Sequence, residues 1–128
     1  MRIGVLEDDV AIQEMLLLVL QDEGYSVVTF PDAEACLAAF QAKANSPESV
    51  VDLMIIDWRL SGSLSGTEVI HKIRKQSRFL ALPIILTTAA TFNDPDELRE
   101  MRVALLEKPF SVDDMAALIR DLTSSSPR

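Results

Sequence analysis

One cysteine, one histidine and four glycines are all that 128 residues contain. A lone Cys36 cannot close an intramolecular disulfide, and its apolar neighbours Ala35, Leu37 and Ala38 suit a small core side chain in a reducing compartment rather than a reactive thiol. So few glycines leave no Gly-rich phosphate cradle. A P-loop is absent, and the turn after the first strand-like run reads Glu7-Asp8-Asp9 where a dinucleotide-binding fold needs glycine. Long apolar runs are missing too: nothing reaches the roughly 20 residues a membrane helix requires, and no signal-like apolar segment opens the chain. The expected location is cytoplasmic, with no membrane partner. Positive charge is scarce, with 12 Lys and Arg against 20 Asp and Glu for a formal net charge of −8. Such a surface repels phosphate backbones and argues against direct nucleic-acid binding. His71 sits beside Lys72 and reads as a solvated side chain rather than a phosphorelay or metal residue.

What the chain has is alternation. Residues 3–6 form a short apolar run bounded by acids, as a buried parallel strand would. Helical spacing follows, with Ile12, Met15, Leu16, Val19 and Leu20 on the expected inner face and Gly24 as the stop. Residues 25–30 read as a second strand, and Asp32 is placed to cap a second helix that turns Leu37 and Phe40 inward. Residues 45–49 are a loop by composition. A third strand is expected over 50–56, a third helix over 67–75 with Val69, Ile70 and Ile73 inside, and a fourth strand over 84–87. A weakly amphipathic helix is expected over 93–103, a fifth strand over 104–107, and a last helix striped by Met115, Leu118, Ile119 and Leu122. Five alternations specify an α/β domain with a parallel sheet covered on both faces. Right-handed crossovers allow the flavodoxin-like strand order 2-1-3-4-5, in which ligands bind outside the carboxyl ends of the strands. One domain over residues 1–123 is expected, with 124–128 as a tail or the start of a linker.

The strand ends carry the chemistry. Strand one runs into Glu7, Asp8 and Asp9; strand three into Asp57; strand four into Thr87-Thr88; strand five into Glu107-Lys108-Pro109. Carboxylates gathered at one sheet edge repel each other unless a cation sits among them. Each motif alone has a plain alternative, since acids before a helix are commonly caps and a lysine before proline is commonly solvated. In combination, and in this order, Leu6-Glu7-Asp8-Asp9, Ile56-Asp57-Trp58, Thr88-Ala89 and Lys108-Pro109-Phe110 resemble the receiver domain of two-component response regulators, over nearly the whole chain.

The resemblance implies a (βα)5 signalling domain rather than an enzyme in the ordinary sense. It implies Asp57 as phosphoacceptor and Mg²⁺ or Mn²⁺ held by Glu7, Asp8, Asp57 and the backbone carbonyl of Arg59. It also implies Thr88 and Lys108 as phosphoryl-binding groups, Arg59 and Ala90 as positions that set the lifetime of the phosphate, and a cis bond at Lys108-Pro109. The implied phosphodonor is a histidine kinase or histidine phosphotransfer protein, and the output lies in an unknown partner or an effector domain these residues do not contain. The chain departs from the family at Leu105, where an aromatic rotor is usual, at Met101-Arg102, where Gly-Ala is usual, and after Asp57, where Ser61 replaces a proline and Ser65-Gly66 comes late. An alternative is therefore an interaction module that keeps the site without the switch. Phosphatases of the haloacid dehalogenase type, which also phosphorylate an aspartate, need an Asp-x-Asp after strand one that this chain lacks.

Overall fold

Period-two alternation along the strands divides the interior into two cores. In the computed structural model, which describes residues 1–42, 51–60, 64–88 and 95–124, the order is β1 (Arg2–Leu6), α1 (Val10–Asp22), β2 (Ser26–Phe30), α2 (Ala33–Ala42), β3 (Leu53–Asp57), α3 (Gly66–Arg74), a 3-10 turn (Ser77–Phe79), β4 (Ile84–Thr88), α4 (Pro95–Met101), β5 (Ala104–Glu107) and α5 (Val112–Ser124). The sheet is parallel throughout, in the order β2-β1-β3-β4-β5. Leu53 and Ile55 of β3 face one core with Leu16, Leu20, Met115 and Ile119, while Met54 and Ile56 face the other with Phe40, Ile70, Ile73 and Met101. Both faces of the sheet are thus covered, as a parallel sheet requires.

Local chemistry sets the helix ends. Asp9 caps α1 by accepting from the Ile12 amide, and Gly24 ends that helix at φ +95°, a conformation glycine adopts without steric cost. Asp32 accepts from the Ala35 amide at 2.8 Å and caps α2. Ser65 and Glu68 form a reciprocal capping box at the start of α3.

Several expectations shift. Met15 is exposed, not inward: α1 is apolar almost all round, with Val10 and Leu18 also exposed, so spacing alone cannot pick the buried row, which is Leu16 and Leu20 flanked by Ile12 and Val19. β3 begins at Leu53; Val51 is buried ahead of it, and Asp52 meets Arg2 twice, its amide donating to the Arg2 carbonyl at 2.8 Å and its side chain accepting the Arg2 amide at 2.8 Å. α4 is shorter at its C-terminal end than its sequence pattern, stopping at Met101, because Arg102 turns left-handed with φ 57°. Cys36 is fully buried, and burial pushes its thiol up to about 12. The expected loop over 45–49 lies outside the described residues, as do Ala90 and residues 91–93.

Candidate functional site

Sheet register brings the polar strand ends together. Leu6 pairs with Ile56, so the residues that follow, Glu7 and Asp57, emerge side by side; Asp57 pairs with Thr87, and Thr88 with Glu107, which leads to Lys108. Glu7 is 2 % exposed and Asp57 5 %. The Glu7 carboxylate accepts the Asp9 amide at 3.1 Å, and its carbonyl accepts the Gln13 side-chain amide at 3.1 Å. Asp9 thus serves as cap and anchor, while Asp8 stays half-buried at the mouth of the same cleft.

Asp57 is fixed through its backbone neighbours. The Trp58 amide donates to the Thr87 carbonyl at 2.8 Å, and the Gly66 amide donates to the Trp58 carbonyl at 2.9 Å. Gly66 packs so closely that a Cβ there would lie 2.2 Å from the Asp57 carbonyl oxygen and 2.9 Å from Trp58 Cα. Only glycine lets α3 start directly against the acceptor candidate.

Lys108 supplies the cation. Its amide donates to the Thr88 carbonyl at 2.7 Å, the Lys108–Pro109 bond is cis, and its Nζ reaches Asp57 Oδ1 at 2.9 Å and Glu7 Oε1 at 3.3 Å. Burial holds the ammonium down, but hydrogen bonding to Asp57 and the charges of Asp57 and Glu7 outweigh it, so Lys108 titrates above its usual range. Burial raises the Glu7 carboxyl and the Asp57 charge adds to this, against the opposing pull of the Asp9 amide and Lys108. Two buried carboxylates and one ammonium leave the pocket short of positive charge.

One ligand atom from each of Glu7, Asp8 and Asp57 falls within 4.8 Å of the others. Three carboxylate oxygens converging at that separation suit a hard divalent cation such as Mg²⁺ or Mn²⁺, not a soft one. Arg59 lines the same cleft of about 380 Å³, its guanidinium 5.9 Å from the Trp58 ring. Thr88 is 1 % exposed at the end of β4. Thr87, which the sequence marks as part of a strand end but not as a partner of Asp57, places Oγ1 3.4 Å from Asp57 Oδ1. Its signal was register: the residue paired with Asp57 across a parallel ladder has to be its neighbour. His71 is not simply solvated either, since its Nε2 lies 3.4 Å from Glu97 Oε2 on α4.

Residues 3–120 match the family model described as response regulator receiver domain. The chain is 30 % identical over 122 residues to the phosphate regulon transcriptional regulatory protein PhoB of Escherichia coli, covering 93 % of this chain and 50 % of PhoB. It thus spans about half the length of the curated relatives it matches. Among solved structures, the Vibrio cholerae chemotaxis protein CheY4 superposes with a TM-score of 0.79 at 26 % identity, covering 94 % of this chain and 97 % of CheY4. The Thermotoga maritima response regulator TrrA, solved in complex with Mg²⁺ and BeF, gives 0.75 at 31 % identity, covering 94 % and 97 %.

Proposed function

This chain belongs to the response regulator receiver domain family, and from that membership we propose that Asp57 accepts a phosphoryl group from a phosphohistidine of a histidine kinase or histidine phosphotransfer protein. The observation that carries the proposal is the position of Lys108 Nζ, 2.9 Å from Asp57 and 3.3 Å from Glu7, beside three carboxylates that converge within 4.8 Å. In the transfer, an Asp57 carboxylate oxygen forms a bond to phosphorus as the phosphorus–nitrogen bond breaks. The imidazole leaves with the electron pair and takes a proton from water, and an acyl phosphate remains on Asp57. Glu7, Asp8, Asp57 and the Arg59 carbonyl would hold Mg²⁺ or Mn²⁺. The ion supplies charge neutralisation for an attack on an already anionic phosphoryl group. Lys108 binds a phosphoryl oxygen as a compact point charge, and Thr88 donates its hydroxyl to another. Arg59 shields the product from water, and with Ala90 offering no polar group to orient an attacking water, hydrolysis is slow.

In this reading residues 1–123 are the receiver and 124–128 a tail or linker start. The domain acts in the cytoplasm and catalyses only its own phosphorylation and dephosphorylation, and its output is read by a partner or an effector elsewhere. Incubation with Mg²⁺ and acetyl phosphate should add one base-labile phosphate by intact mass, and Asp57→Asn should add none. No phosphate, under conditions that modify a control receiver, would favour the second reading, a phosphorylation-independent interaction module. That reading draws on Leu105 in β5, where no aromatic ring is available to rotate, and on the seven-residue α4.

A further inference from the structure

The two ends of α4 are held in different ways. At its C-terminal end the Arg74 guanidinium of α3 donates to the carbonyls of Met101 at 2.9 Å and Arg102 at 2.8 Å, and to that of Phe79. Met101 is fully buried, and Leu98 packs on the same core. A cation shared among carbonyls at a helix C-terminus satisfies acceptors that the helix cannot, and it complements the dipole. Nearer the N-terminal end, His71 Nε2 meets Glu97 Oε2 at 3.4 Å, with the two side chains 40 % and 32 % exposed. A surface pair of this kind exchanges readily with water; a half-buried guanidinium shared among three carbonyls does so far less, because all three bonds have to break together.

The more exposed end is also the one connected to the site. Residues 89–94 join Thr88 to the start of α4, and Glu97 shares with Trp58 and Arg59 a recess of about 420 Å³ beside the acid cleft. We infer that His71 and Glu97 form a latch that holds the N-terminal end of α4 against α3 in the unphosphorylated protein, with Arg74 and Met101 as the pivot. What releases the latch rests on the reading of Asp57 as phosphoacceptor: new charge on Asp57 draws Thr88 and Arg59 inward, and both lead toward Glu97. The latch takes over the transmission role left vacant by Leu105.

Two measurements on the full chain separate the latch from the phosphoacceptor reading. The first needs no ligand. In Glu97→Gln, hydrogen exchange at the Arg99 and Glu100 amides, which helical bonding ties to the first residues of α4, should speed up by about two- to five-fold, the range of a surface pair. The Arg102 amide, bonded to Leu98 at the pivot end, should hold its rate. The control is Glu100→Gln, the same loss of charge at an exposed position of the same helix. The second measurement is beryllofluoride affinity with Mg²⁺, which should rise about two- to five-fold in Glu97→Gln over Glu100→Gln, because a weakened resting state lowers the cost of leaving it. In a His71→Gln background the Glu97→Gln effect should vanish in both. Equal exchange in Glu97→Gln and Glu100→Gln, or an effect of Glu97→Gln that survives His71→Gln, would overturn the latch. A wild type that binds no beryllofluoride would instead overturn the phosphoacceptor reading, with the exchange data still deciding the latch.

Discussion

The α1/α5 face and the α2–α4 face both pack an apolar core on the sheet, and they differ in how their helices are fastened. The first uses two 13-residue helices on a purely apolar core of Ile3, Val5, Leu53, Ile55 and Ile85. The second uses helices of ten, nine and seven residues with a 3-10 turn. There a guanidinium sits on backbone carbonyls and a non-glycine residue turns left-handed. Apolar packing resists displacement continuously, because every shift opens a void. Pairs near the surface, such as His71–Glu97 on this second face, exchange partners with water at little cost. The difference teaches where a charge on Asp57 can be felt: the acid cleft lies at the seam, with an unyielding face on one side and a rearrangeable one on the other.

A matched pair of variants breaks the comparison most sharply. Ile119→Ala, in the α1/α5 core, should cost about 2–5 kcal/mol in chemical denaturation yet leave the phosphorylation rate per folded molecule unchanged. Gly66→Ala, on the other face, should also destabilise. In addition it should slow phosphorylation about 10- to 100-fold, since its Cβ has to displace the Asp57 backbone and small misplacements of a nucleophile are costly. Equal phosphorylation rates in the two variants would show that the acceptor is not positioned through α3.

Metal dependence sharpens the comparison at the seam itself. Because burial, with Asp57, raises the folded-state Glu7 carboxyl above 4.5, its contribution to stability is present below that pH and is lost as pH rises through the raised value. A cation bound by the carboxylates reverses the penalty. Mg²⁺ at saturating concentration should therefore stabilise the protein by roughly 1–3 kcal/mol near neutral pH and distinctly less near pH 5, read as melting temperature with and without chelator. An equal Mg²⁺ effect at both pH values would remove Glu7 from the binding group.

The smallest effect tests the strained corner of the polar face. Arg102 at φ 57° occupies a conformation that glycine adopts freely, so Arg102→Gly should gain about 0.5–1 kcal/mol in denaturant titration. Its carbonyl still receives Arg74, which leaves that hydrogen bond unaffected. A loss of stability would mean that the Arg102 side chain contributes packing worth more than the backbone strain.

Legibility in the sequence depended on how local each signal is. Strand periodicity, the Asp32 cap and the polar strand ends at Glu7, Asp57 and Lys108 are local patterns, and the sheet order is one that handedness allows and the flavodoxin-like fold supplies once five alternations are seen. That Glu7 and Lys108, 101 residues apart, meet was legible because both belong to strand ends at one sheet edge, whereas the ion pair between them was not read from the sequence. Thr87 was not legible as a partner of Asp57, because that proximity is a register property that period-two alternation leaves open. Met15 failed because a helix apolar almost all round carries little phase. The role of Arg74 was not legible for a third reason: it depends on a left-handed turn 28 residues away, which Arg102 gives no residue-type cue to expect.

Trp58, the one tryptophan of the chain, follows Asp57 directly, is half-buried in the cleft wall and carries the Arg59 guanidinium 5.9 Å from its ring. The protein therefore carries its own optical label. Tryptophan emission arises from one residue adjoining Asp57, and withdrawal of a cation from the indole face changes its intensity. Stopped-flow traces can time events in the cleft, and in the recess that Trp58 shares with Glu97 of α4, without a dye.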